Sequence, residues 1–388
     1  MKRLGIYVHI PFCEHKCTYC DFNSGYALEE VHYLKALIRE IENASSSFLS
    51  HEINTIFFGG GTPSLYTPNS HDKILSSIFK KFKVNASCEI TMECNPNSLS
   101  FEKLKDFHAA GFNRMSLGAQ SFNPSQLKTL TRIHSRDQII EAVSHIKRSG
   151  FSNFNIDLMF GLTEQSLEEF ENDLKMALSL ESRHISFYNL TLPKQHPLFS
   201  RLPHDEHCRT MFLKGENILH KSGFIHYETS NYALPGFECR HNLKYWHMEE
   251  YLGVGAGACS YLETCPQWIP QSDPCSGHIR LSNIKTPESY VKSIKDQQHA
   301  CANFENLTND QAFTDYLIGR LRILEPLPLG LWKERFGMGI TQTLRDILLK
   351  HHNLGLLNFD SDKLYLTDKG RLFLDEILID FVNLNTDS

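Results

Sequence analysis

The chain reads GIYVHIPFCEHKCTYC between residues 5 and 20, and this stretch decides how the fold is interpreted. The apolar run Gly5–Ile10 predicts a buried strand, which ends at Pro11 because proline cannot continue a strand ladder. The loop that follows carries Cys13, Cys17 and Cys20. Three cysteines at this spacing supply three thiolates to one point, which indicates a metal site directly after the first strand.

The number of thiolates narrows the kind of metal site. Soft thiolate ligands favour iron–sulfur clusters, zinc or copper, and a structural zinc ion normally has four protein ligands. A cubane cluster held by three cysteines leaves one iron open to an exchangeable ligand. In proteins that use S-adenosylmethionine (SAM), that ligand is the amino and carboxylate groups of the cofactor. The spacing alone leaves open a zinc knuckle completed by His9 or His15.

From residue 5 to about residue 190, short apolar runs alternate with amphipathic stretches. This alternation predicts an α/β fold of β/α units around a parallel sheet. The predicted strands are Gly5–Ile10, Thr55–Phe58, Glu89–Glu93, Arg114–Leu117, Phe154–Leu158 and Ile185–Leu190. About six units fit this span, fewer than the eight of a complete (β/α)8 barrel, so we expect a partial (β/α)6 barrel or an open sheet.

Helix starts in this region have a recognisable signal. A cap residue is followed three positions later by Gln or Glu, which is the pattern of a capping box. The three pairs are Asn123 with Gln126, Ser135 with Gln138 and Ser166 with Glu169.

Composition limits the class of protein. The chain has 388 residues, of which 41% are hydrophobic and 22% are charged, as is typical of a folded globular protein. Its net charge of -6 offers no general attraction for nucleic acid. Its apolar runs are too short or too interrupted to span a bilayer, and the N-terminus lacks the features of a signal peptide, so we expect a cytoplasmic protein. The cysteines outside the loop show no ligand spacing and receive no role; these are Cys88, Cys94, Cys208, Cys239, Cys259, Cys265, Cys275 and Cys301.

The pattern changes after the last predicted strand of the core, which suggests three regions. Residues 193–208 are rich in Pro and His and suit a connection that leaves the core, so residues 1–208 are predicted to form the core domain. Residues 209–300 form a middle segment with a mixture of aromatic, Gly and polar residues. Residues 301–388 become helical again and close on a strand, wing and helix pattern typical of a winged-helix module.

Polar residues recur where the predicted strands end. A glycine turn, Gly59-Gly60-Gly61-Thr62-Pro63, follows the second strand. Glu93, Gln120, Arg132 and Asp157 lie at or after later strands. Ligands of α/β folds bind at the carboxyl edge of the sheet, where these residues are expected to meet. Glycines in the turn let backbone amides approach a cofactor, so we expect side chains placed there to intrude on the cofactor and not on the cysteines.

These motifs together resemble the radical SAM superfamily, with CxxxCxxC after the first strand, Tyr19 before the last cysteine and the glycine turn after the second strand. The resemblance narrows to the anaerobic coproporphyrinogen III oxidase family, which matches YVHIPFC at residues 7–13, LGAQSF at 117–122 and NIDLMFGL at 155–162. It implies a partial TIM-like barrel, a 4Fe-4S cluster on the three cysteines and SAM as cofactor. The positions that the resemblance assigns to SAM are Tyr7, Tyr19, Gly60, Gly61, Thr62, Glu93, Gln120, Arg132 and Asp157.

Within that family, the chain is most similar to the heme chaperone (HemW) branch. The dehydrogenase branch typically has a cysteine two residues after the last ligand, where this chain has Phe22, and an extension ahead of the first strand, where this chain has Met1–Leu4. The HNxxYW motif of the chaperone branch is matched by HNLKYW at residues 241–246. The imidazole of His241 can ligate heme iron, and Tyr245 and Trp246 offer flat faces to a porphyrin.

The resemblance therefore implies a heme chaperone that binds heme, a 4Fe-4S cluster and SAM and delivers heme to an acceptor protein. The expected partners are heme, that acceptor, an electron donor and a second copy of the chain in a homodimer. Two alternatives stay open: radical decarboxylation of coproporphyrinogen III by an oxygen-independent dehydrogenase, and a zinc-stabilised binding protein.

Overall fold

A computed structural model describes residues 1–27, 30–263, 265–268 and 277–382. The first part of the chain alternates strands and helices: β1 (Lys2–Ile10), α1 (Glu30–Ala44), β2 (His51–Gly60), α2 (Pro68–Lys81), β3 (Lys83–Cys94), α3 (Phe101–Ala110), β4 (Arg114–Gln120), α4 (Pro124–Thr129), α5 (Arg136–Arg148), β5 (Phe154–Phe160), α6 (Leu167–Ser179) and β6 (His184–Asn189). Each of the six predicted core strands is present. The first five observed strands are longer than predicted, and β6 has the predicted length but begins and ends one residue earlier.

The middle of the chain adds further elements. They are α7 (Asp205–Lys221), β7 (Ile225–Glu228), β8 (Asn231–Ala233), α8 (Arg240–Trp246), β9 (Tyr251–Val254), β10 (Cys259–Leu262), β11 (Ile279–Asn283), α9 (Pro287–Gln297) and β12 (Cys301–Asn306). The last part contains α10 (Asn309–Arg320), β13 (Leu327–Pro328), α11 (Gly330–Phe336), α12 (Gln342–Asn353), β14 (Leu357–Phe359), β15 (Lys363–Leu366), α13 (Asp368–Leu372) and α14 (Leu374–Val382).

Strands β1 to β12 form one sheet in the order β12-β11-β10-β9-β1-β2-β3-β4-β5-β6-β8-β7. The six core strands pair in parallel and in sequence order, as successive crossovers through helices require. The expectation of a partial (β/α)6 barrel is confirmed. Strand β9 pairs in parallel with β1, whereas β8 pairs antiparallel with β6. The middle segment therefore extends both edges of the core sheet.

The register of the parallel strands aligns their carboxyl ends. Ile10 pairs with Gly60, Phe58 pairs with Met92 and Cys94 pairs with Leu117. Residues that follow these positions therefore meet at one edge of the sheet, which is where ligands of such folds bind.

Two of the three predicted capping boxes are present in full at helix starts. Ser135 with Gln138 and Ser166 with Glu169 each form a reciprocal capping box. Asn123 caps α4 through the backbone amide of Ser125, and Gln126 instead donates to the carbonyl of Thr163. The side chain of Gln126 therefore connects α4 to the loop that follows β5.

Two large apolar clusters support this architecture. One contains buried residues from Leu4 to Ala300 and spans the core and the middle segment. The other joins Tyr261 to residues from Leu307 to Phe381. In the last part of the chain, a three-stranded sheet of order β13-β15-β14 packs with α10 to α14, which confirms the winged-helix-like module. The division at residues 208 and 300 stays a proposal, because the middle segment shares both sheet and core with the first region.

Among the described residues, no helix is long and apolar enough to cross a membrane.

Candidate functional site

A cavity of about 510 Å³ opens at the carboxyl edge of the parallel strands. All three cysteines of the loop lie in its wall, together with eight of the nine residues assigned to SAM by resemblance. These eight residues are Tyr19, Gly60, Gly61, Thr62, Glu93, Gln120, Arg132 and Asp157. The structure thus brings these predicted residues together although the first and last of them, Cys13 and Asp157, are 144 positions apart in the chain. We refer to it as the cluster cavity.

The cysteine loop is held by backbone and side-chain hydrogen bonds. The amide of Cys20 donates to the carbonyl of Cys17 at 3.1 Å, which closes a turn between two ligands. The hydroxyl of Thr62 donates to Sγ of Cys13 at 3.6 Å, and Nη1 of Arg132 donates to Sγ of Cys17 at 3.7 Å. Hydrogen bonds to sulfur are a typical feature of protein sites that hold iron–sulfur clusters.

The geometry does not support the zinc alternative. Both ring nitrogens of His9 are engaged, with the hydroxyl of Tyr7 at 2.9 Å and the carbonyl of Asn23 at 2.8 Å. His15 is exposed on the loop. Within the described part of the chain, no three His, Cys, Asp or Glu side chains are placed to hold a single ion. Zinc needs its ligands about 2.0–2.3 Å from one point, whereas a cluster takes its cysteines from around a larger cage.

The glycine turn lies directly against the cysteine loop. The amide of Gly61 donates to the carbonyl of Ile10 at 2.7 Å. A Cβ on Gly61 would lie 2.5 Å from the carbonyl oxygen of Phe12 and 3.0 Å from Sγ of Cys13. A Cβ on Gly60, which has φ of 110°, would lie 2.6 Å from the ring of His9. The expectation that side chains here would spare the cysteines is therefore wrong for Gly61, which packs on the ligand loop itself, whereas at Gly60 the nearest atoms belong to His9.

Two carboxyl groups, those of Glu93 and Asp157, line the cavity. Glu93 accepts a hydrogen bond from the amide of Gly60 at 3.2 Å. Burial, followed by the charge of Asp157, raises the pKa of Glu93 to about 8 against the lowering effect of the Gly60 amide and Arg114. Burial also raises the pKa of Asp157, whose carboxylate accepts Nδ2 of Asn155 at 2.6 Å. A cationic group bound between these carboxylates would stabilise their charged forms.

Arg132 ties the cysteine loop to the strand ends. Besides Cys17, its guanidinium donates through Nη2 to Oδ1 of Asn95 at 2.8 Å and to the carbonyl of Gly118 at 2.7 Å. Its Nε is buried without a hydrogen-bond partner. A buried donor without a partner is costly, and a carboxylate ligand in the cavity would satisfy it.

Gln120 is the most strained of the predicted residues. Its φ of 71° lies in the left-handed region, which side chains other than glycine rarely adopt. Its Oε1 accepts the hydroxyl of Tyr188 at 2.6 Å. Strain of this kind is retained where surrounding contacts determine the conformation, and it concentrates at binding sites.

Tyr7 is the one predicted SAM residue outside the lining of the cluster cavity. Its hydroxyl bonds to His9, and its ring stacks on Phe57 and His241 at centroid distances of 6.3 and 6.5 Å. It therefore lies inside the barrel beneath the glycine turn. Its place in SAM binding stays a prediction.

The HNLKYW segment lies in α8, which packs inside the barrel. It contacts β2 at Thr55, before the carboxyl end of the strand where the glycine turn lies. Glu89 of β3 accepts the amides of Arg240 and His241 at 3.3 and 3.1 Å and so satisfies the start of this helix. His241 is fully buried. Its Nδ1 lies 2.8 Å from the hydroxyl of Thr55, and its Nε2 lies 2.9 Å from the hydroxyl of Tyr245. Burial lowers the pKa of His241 to about 3.

Tyr245, whose hydroxyl contacts His241, and Trp246 line a second cavity of about 520 Å³. Its floor is the sheet formed by β9 to β12, and its walls are the end of α8 and helix α10. We refer to it as the aromatic cavity. The two cavities have no lining residue in common. Of the three motif residues assigned to heme, Tyr245 and Trp246 line the aromatic cavity, and His241 lies behind Tyr245 and does not line it.

The sequence patterns did not indicate several residues that complete the cluster cavity. Asn95 bonds to both Arg132 and Thr62. Its position directly after β3, two residues after Glu93, is a signal from which its place in the cavity could have been predicted. Tyr188 and Asn189 are the last two residues of β6, so their position at a strand end is a similar signal. Ser116 and Ser186 lie within strands, and only the register shows that they face the cavity.

The chain matches two family models, the Radical SAM superfamily over residues 7–177 and the HemN C-terminal domain over residues 307–373. It is 35% identical over 387 residues to the heme chaperone HemW of Haemophilus influenzae, covering 97% of each chain, and 34% identical over 383 residues to that of Escherichia coli, again covering 97% of each chain. A similar protein from Bacillus subtilis is 30% identical over 381 residues, covering 96% of this chain and 97% of the relative.

The solved structure of coproporphyrinogen III oxidase (HemN) from Escherichia coli, described as a radical SAM enzyme, shares the fold. It superposes with a TM-score of 0.83 at 24% identity, over 98% of this chain and 90% of that one. The fold and the cluster cavity thus define a radical SAM protein. The full-length similarity places the chain in the HemW family.

Membership of the radical SAM superfamily implies a 4Fe-4S cluster and SAM, and the cluster cavity fits both. The three cysteines, the glycine turn, the carboxyl-bearing Glu93 and Asp157, and Arg132 all line one space. When bound, the two cofactors supply radical chemistry.

Proposed function

We propose that this protein is a heme chaperone that holds a 4Fe-4S cluster and SAM in the cluster cavity and carries heme on its middle segment for delivery to an acceptor protein. The relatives named heme chaperone, which align over nearly the whole chain, support this proposal. The observation that carries it is the position of α8. This helix presents Tyr245 and Trp246 to a cavity that is separate from the cluster cavity and large enough for a planar ligand.

In the cluster cavity, Cys13, Cys17 and Cys20 are the proposed cluster ligands. The carboxylate of Glu93 and the backbone of the glycine turn are placed to bind the amino group of SAM. The guanidinium of Arg132, which already donates to Cys17, would donate hydrogen bonds to the carboxylate of SAM. These assignments rest on matching charge: anionic protein groups face a cationic part of the ligand and a cation faces its acid group.

The role of His241 as an iron ligand stays a prediction, and it requires a change in the structure around His241. Its Nε2 bonds to Tyr245 and its ring is enclosed by Tyr7 and Phe57. Ligation therefore requires the Tyr245 hydrogen bond to open and the helix end to move. The heme acceptor, the electron donor and a homodimer also stay predictions.

Parallel assays on one preparation test the proposal. Protein reconstituted with its cluster under anaerobic conditions is titrated with heme, and a matched sample with SAM and a reductant is given coproporphyrinogen III. We expect saturable heme binding and no decarboxylation. A lack of saturable heme binding would contradict the chaperone proposal. Rapid formation of protoporphyrinogen IX would also contradict it.

His241→Ala tests the ligand assignment within this proposal, with His220→Ala as a control because His220 is an exposed residue at the end of α7. Weaker heme binding or shifted heme absorption bands in His241→Ala alone would support ligation by His241. Wild-type binding by that variant would remove the assignment and leave heme binding by the middle segment in place.

A further inference from the structure

Asp157 of the cluster cavity is in contact with a buried asparagine on its own strand. Asn155 and Asp157 are two positions apart on β5 and therefore lie on the same face of the strand. Nδ2 of Asn155 donates to Oδ1 of Asp157 at 2.6 Å. Asp157 lines the cavity, whereas Asn155 is buried and does not line it. Asn155 therefore holds a residue of the cavity wall without being part of that wall.

The orientation of the Asn155 amide follows from its neighbours. The backbone amide of Ser186 donates to Oδ1 of Asn155 at 2.9 Å. Since a backbone N–H can only donate, the atom that it meets is the oxygen, and the NH2 group must lie on the other side. On that side are Asp157 and the hydroxyl oxygens of Ser116 and Ser186, at 2.8 and 2.9 Å from Nδ2. Asn155 is therefore a donor to the carboxyl group of Asp157.

A line of hydrogen bonds continues from Asn155 to the middle segment. Nδ1 of His184 lies 2.7 Å from Oδ1 of Asn155, so this nitrogen carries a proton. Burial, followed by the charge of Arg114, lowers the pKa of His184 well below its usual value, so the ring is neutral and Nε2 accepts. The hydroxyl of Tyr227 donates to Nε2 at 2.7 Å and accepts the backbone amide of Cys239 at 3.2 Å. Each donor in this line points from the start of α8 towards the cluster cavity.

This arrangement favours the charged form of Asp157. Burial raises the pKa of Asp157, and hydrogen bonds from Ser186 and Asn155 act in the opposite direction. A carboxylate only accepts hydrogen bonds, so an amide donor on one oxygen fixes its orientation and leaves lone pairs free for a ligand.

We propose that Asn155 is a positioning residue of the cluster cavity, which acts through Asp157 on the binding of SAM. Its NH2 group holds the carboxylate in one orientation and supplies a donor that the charged form requires. The inference rests on the proposed function and adds to the SAM site a residue that touches no ligand itself.

The test uses the full chain with its cluster reconstituted and measures SAM affinity by calorimetric titration. Asn155→Leu removes the donor at nearly constant size. Asn155→Asp keeps an oxygen for the Ser186 amide and offers a donor to Asp157 only while the new carboxyl group is protonated. Asp157→Asn, alone and combined with Asn155→Leu, completes a double-mutant cycle.

Asn113→Leu is the matched control. The amide of Asn113 also bonds between strands, since its Oδ1 accepts the amide of Ile90 at 2.8 Å and its Nδ2 donates to the carbonyl of Cys88 at 2.7 Å. Asn113 does not line the cluster cavity. Its replacement reproduces the loss of a structural amide without touching Asp157, so SAM affinity should equal that of the wild type.

We expect Asn155→Leu to raise the Kd for SAM by roughly tenfold. The same change should have little further effect in the Asp157→Asn background, because the carboxylate that it positions is then absent. A purely structural role would cost as much in either background. The iron and sulfide content of each variant should match the wild type.

The pH dependence of Asn155→Asp gives a second readout. From about pH 6 to about pH 9, its SAM affinity should start above that of Asn155→Leu and lose this advantage, because ionisation removes the donor and places two like charges side by side. All other groups that act electrostatically on this pair are present in both variants, so their comparison at one pH isolates the new carboxyl group. These groups are Glu93, Cys94, Arg114, Arg132, His184 and Tyr188.

The failure of this inference is distinguishable from that of the proposed function. Wild-type SAM affinity in Asn155→Leu, or an undiminished loss in the Asp157→Asn background, would overturn it. Asn155→Asp binding no better than Asn155→Leu at any pH would also overturn it. If Asn155→Leu loses its cluster, the Kd of Asn155→Asp relative to the wild type decides, and we expect this ratio to rise with pH. If the wild type binds no SAM, the proposed function itself fails.

Discussion

The cluster cavity and the aromatic cavity are similar in volume, about 510 and about 520 Å³, but they are built in different ways. The cluster cavity takes its residues from loops and strand ends at one edge of a parallel sheet, and its wall carries the carboxyl groups of Glu93 and Asp157, whose pKa values are raised by burial. The aromatic cavity lies on the face of the antiparallel extension of that sheet and is closed by α10 of the C-terminal module.

This difference shows how much each cavity depends on the rest of the molecule. The cluster cavity is complete within the region that precedes α7, apart from Ser230 and Asn231. The aromatic cavity requires the C-terminal module to be docked, because Asp315, Ile318 and Gly319 of α10 form its wall. We therefore expect changes in the module to affect the aromatic cavity first, and changes in the cysteine loop to affect only the cluster cavity.

The largest expected effect comes from the cysteine loop. Replacing Cys13, Cys17 and Cys20 together by Ser should abolish the cluster, since hydroxyl groups are poor ligands for iron in a cluster. The measurement is iron and sulfide content with the absorption spectrum after anaerobic reconstitution. Cys208→Ser serves as the control, because Cys208 lines neither cavity. A triple variant that keeps its full iron and sulfide would refute the ligand assignment.

Glu93→Gln sharpens the comparison within the cluster cavity. The substitution keeps the shape of the side chain but removes the carboxyl group that can ionise against a cationic ligand, so SAM affinity should fall by roughly tenfold to a hundredfold, as is typical when a charged hydrogen bond is lost. The exposed Glu102→Gln is the control. Equal SAM affinity in calorimetric titrations of both variants would remove Glu93 from the site.

The raised pKa of Glu93 also predicts a pH dependence. Because its pKa in the protein is about 8, the carboxyl group is largely protonated below that pH and must ionise to bind a cation. SAM affinity should therefore rise with pH towards about 8, with proton release on binding, and Glu93→Gln should flatten this rise. A pH-independent affinity in the wild type would contradict the assignment.

Arg371→Met tests the dependence of the aromatic cavity on the C-terminal module. Arg371 of α13 donates to Glu216 of α7 at 2.5 Å, and Glu216 also bonds to His226 at 3.0 Å. Loss of one partner from this largely buried group should lower the free energy of unfolding by on the order of 2 kcal/mol. Denaturant unfolding measures the loss, and heme binding should weaken more than SAM binding.

The same ion pair has a predicted acid sensitivity. Burial alone would raise the pKa of Glu216, but His226 and Arg371 lower it to about 2. Its contribution to stability is therefore present above the unfolded-state pKa of about 4.3 and is lost as the pH falls towards about 2. Arg371→Met should be less sensitive to acid over this interval. An equal acid sensitivity of the two proteins would exclude this pair as the cause.

The smallest expected effect is that of Tyr245→Phe, at the boundary between the barrel interior and the aromatic cavity. The change leaves Nε2 of the buried His241 without its partner, at a cost of about 1–2 kcal/mol in unfolding free energy. Cluster content and SAM affinity should stay unchanged, and Tyr365→Phe in the C-terminal module is the control. A loss of cluster in Tyr245→Phe would show that the two cavities are coupled more closely than their separate linings indicate.

Most of the fold and most of the cluster cavity could be predicted from the sequence. The apolar runs located all six core strands, and residues at the ends of parallel strands must meet at one edge of the sheet. The effect of side chains at Gly60 and Gly61 could not be predicted in the same way. The distance from Gly61 to Phe12 depends on how two loops pack, and loop packing has no periodic signal in sequence.

The sequence by itself determined the class of site, because CxxxCxxC and the glycine turn are local patterns whose chemistry depends on spacing within a few residues. Only the tertiary structure decided the arrangement of HNLKYW. His241 and Tyr245 are four residues apart in α8 and therefore lie on the same side of the helix, in contact with each other. His241 is enclosed by the barrel at Thr55, whereas Tyr245 and Trp246, at the end of the helix, reach the aromatic cavity. The tertiary structure alone also placed Cys259 in that cavity, since its neighbours there come from separate strands and a later helix, and long-range contacts of this kind are set by sheet register and by the packing of α10.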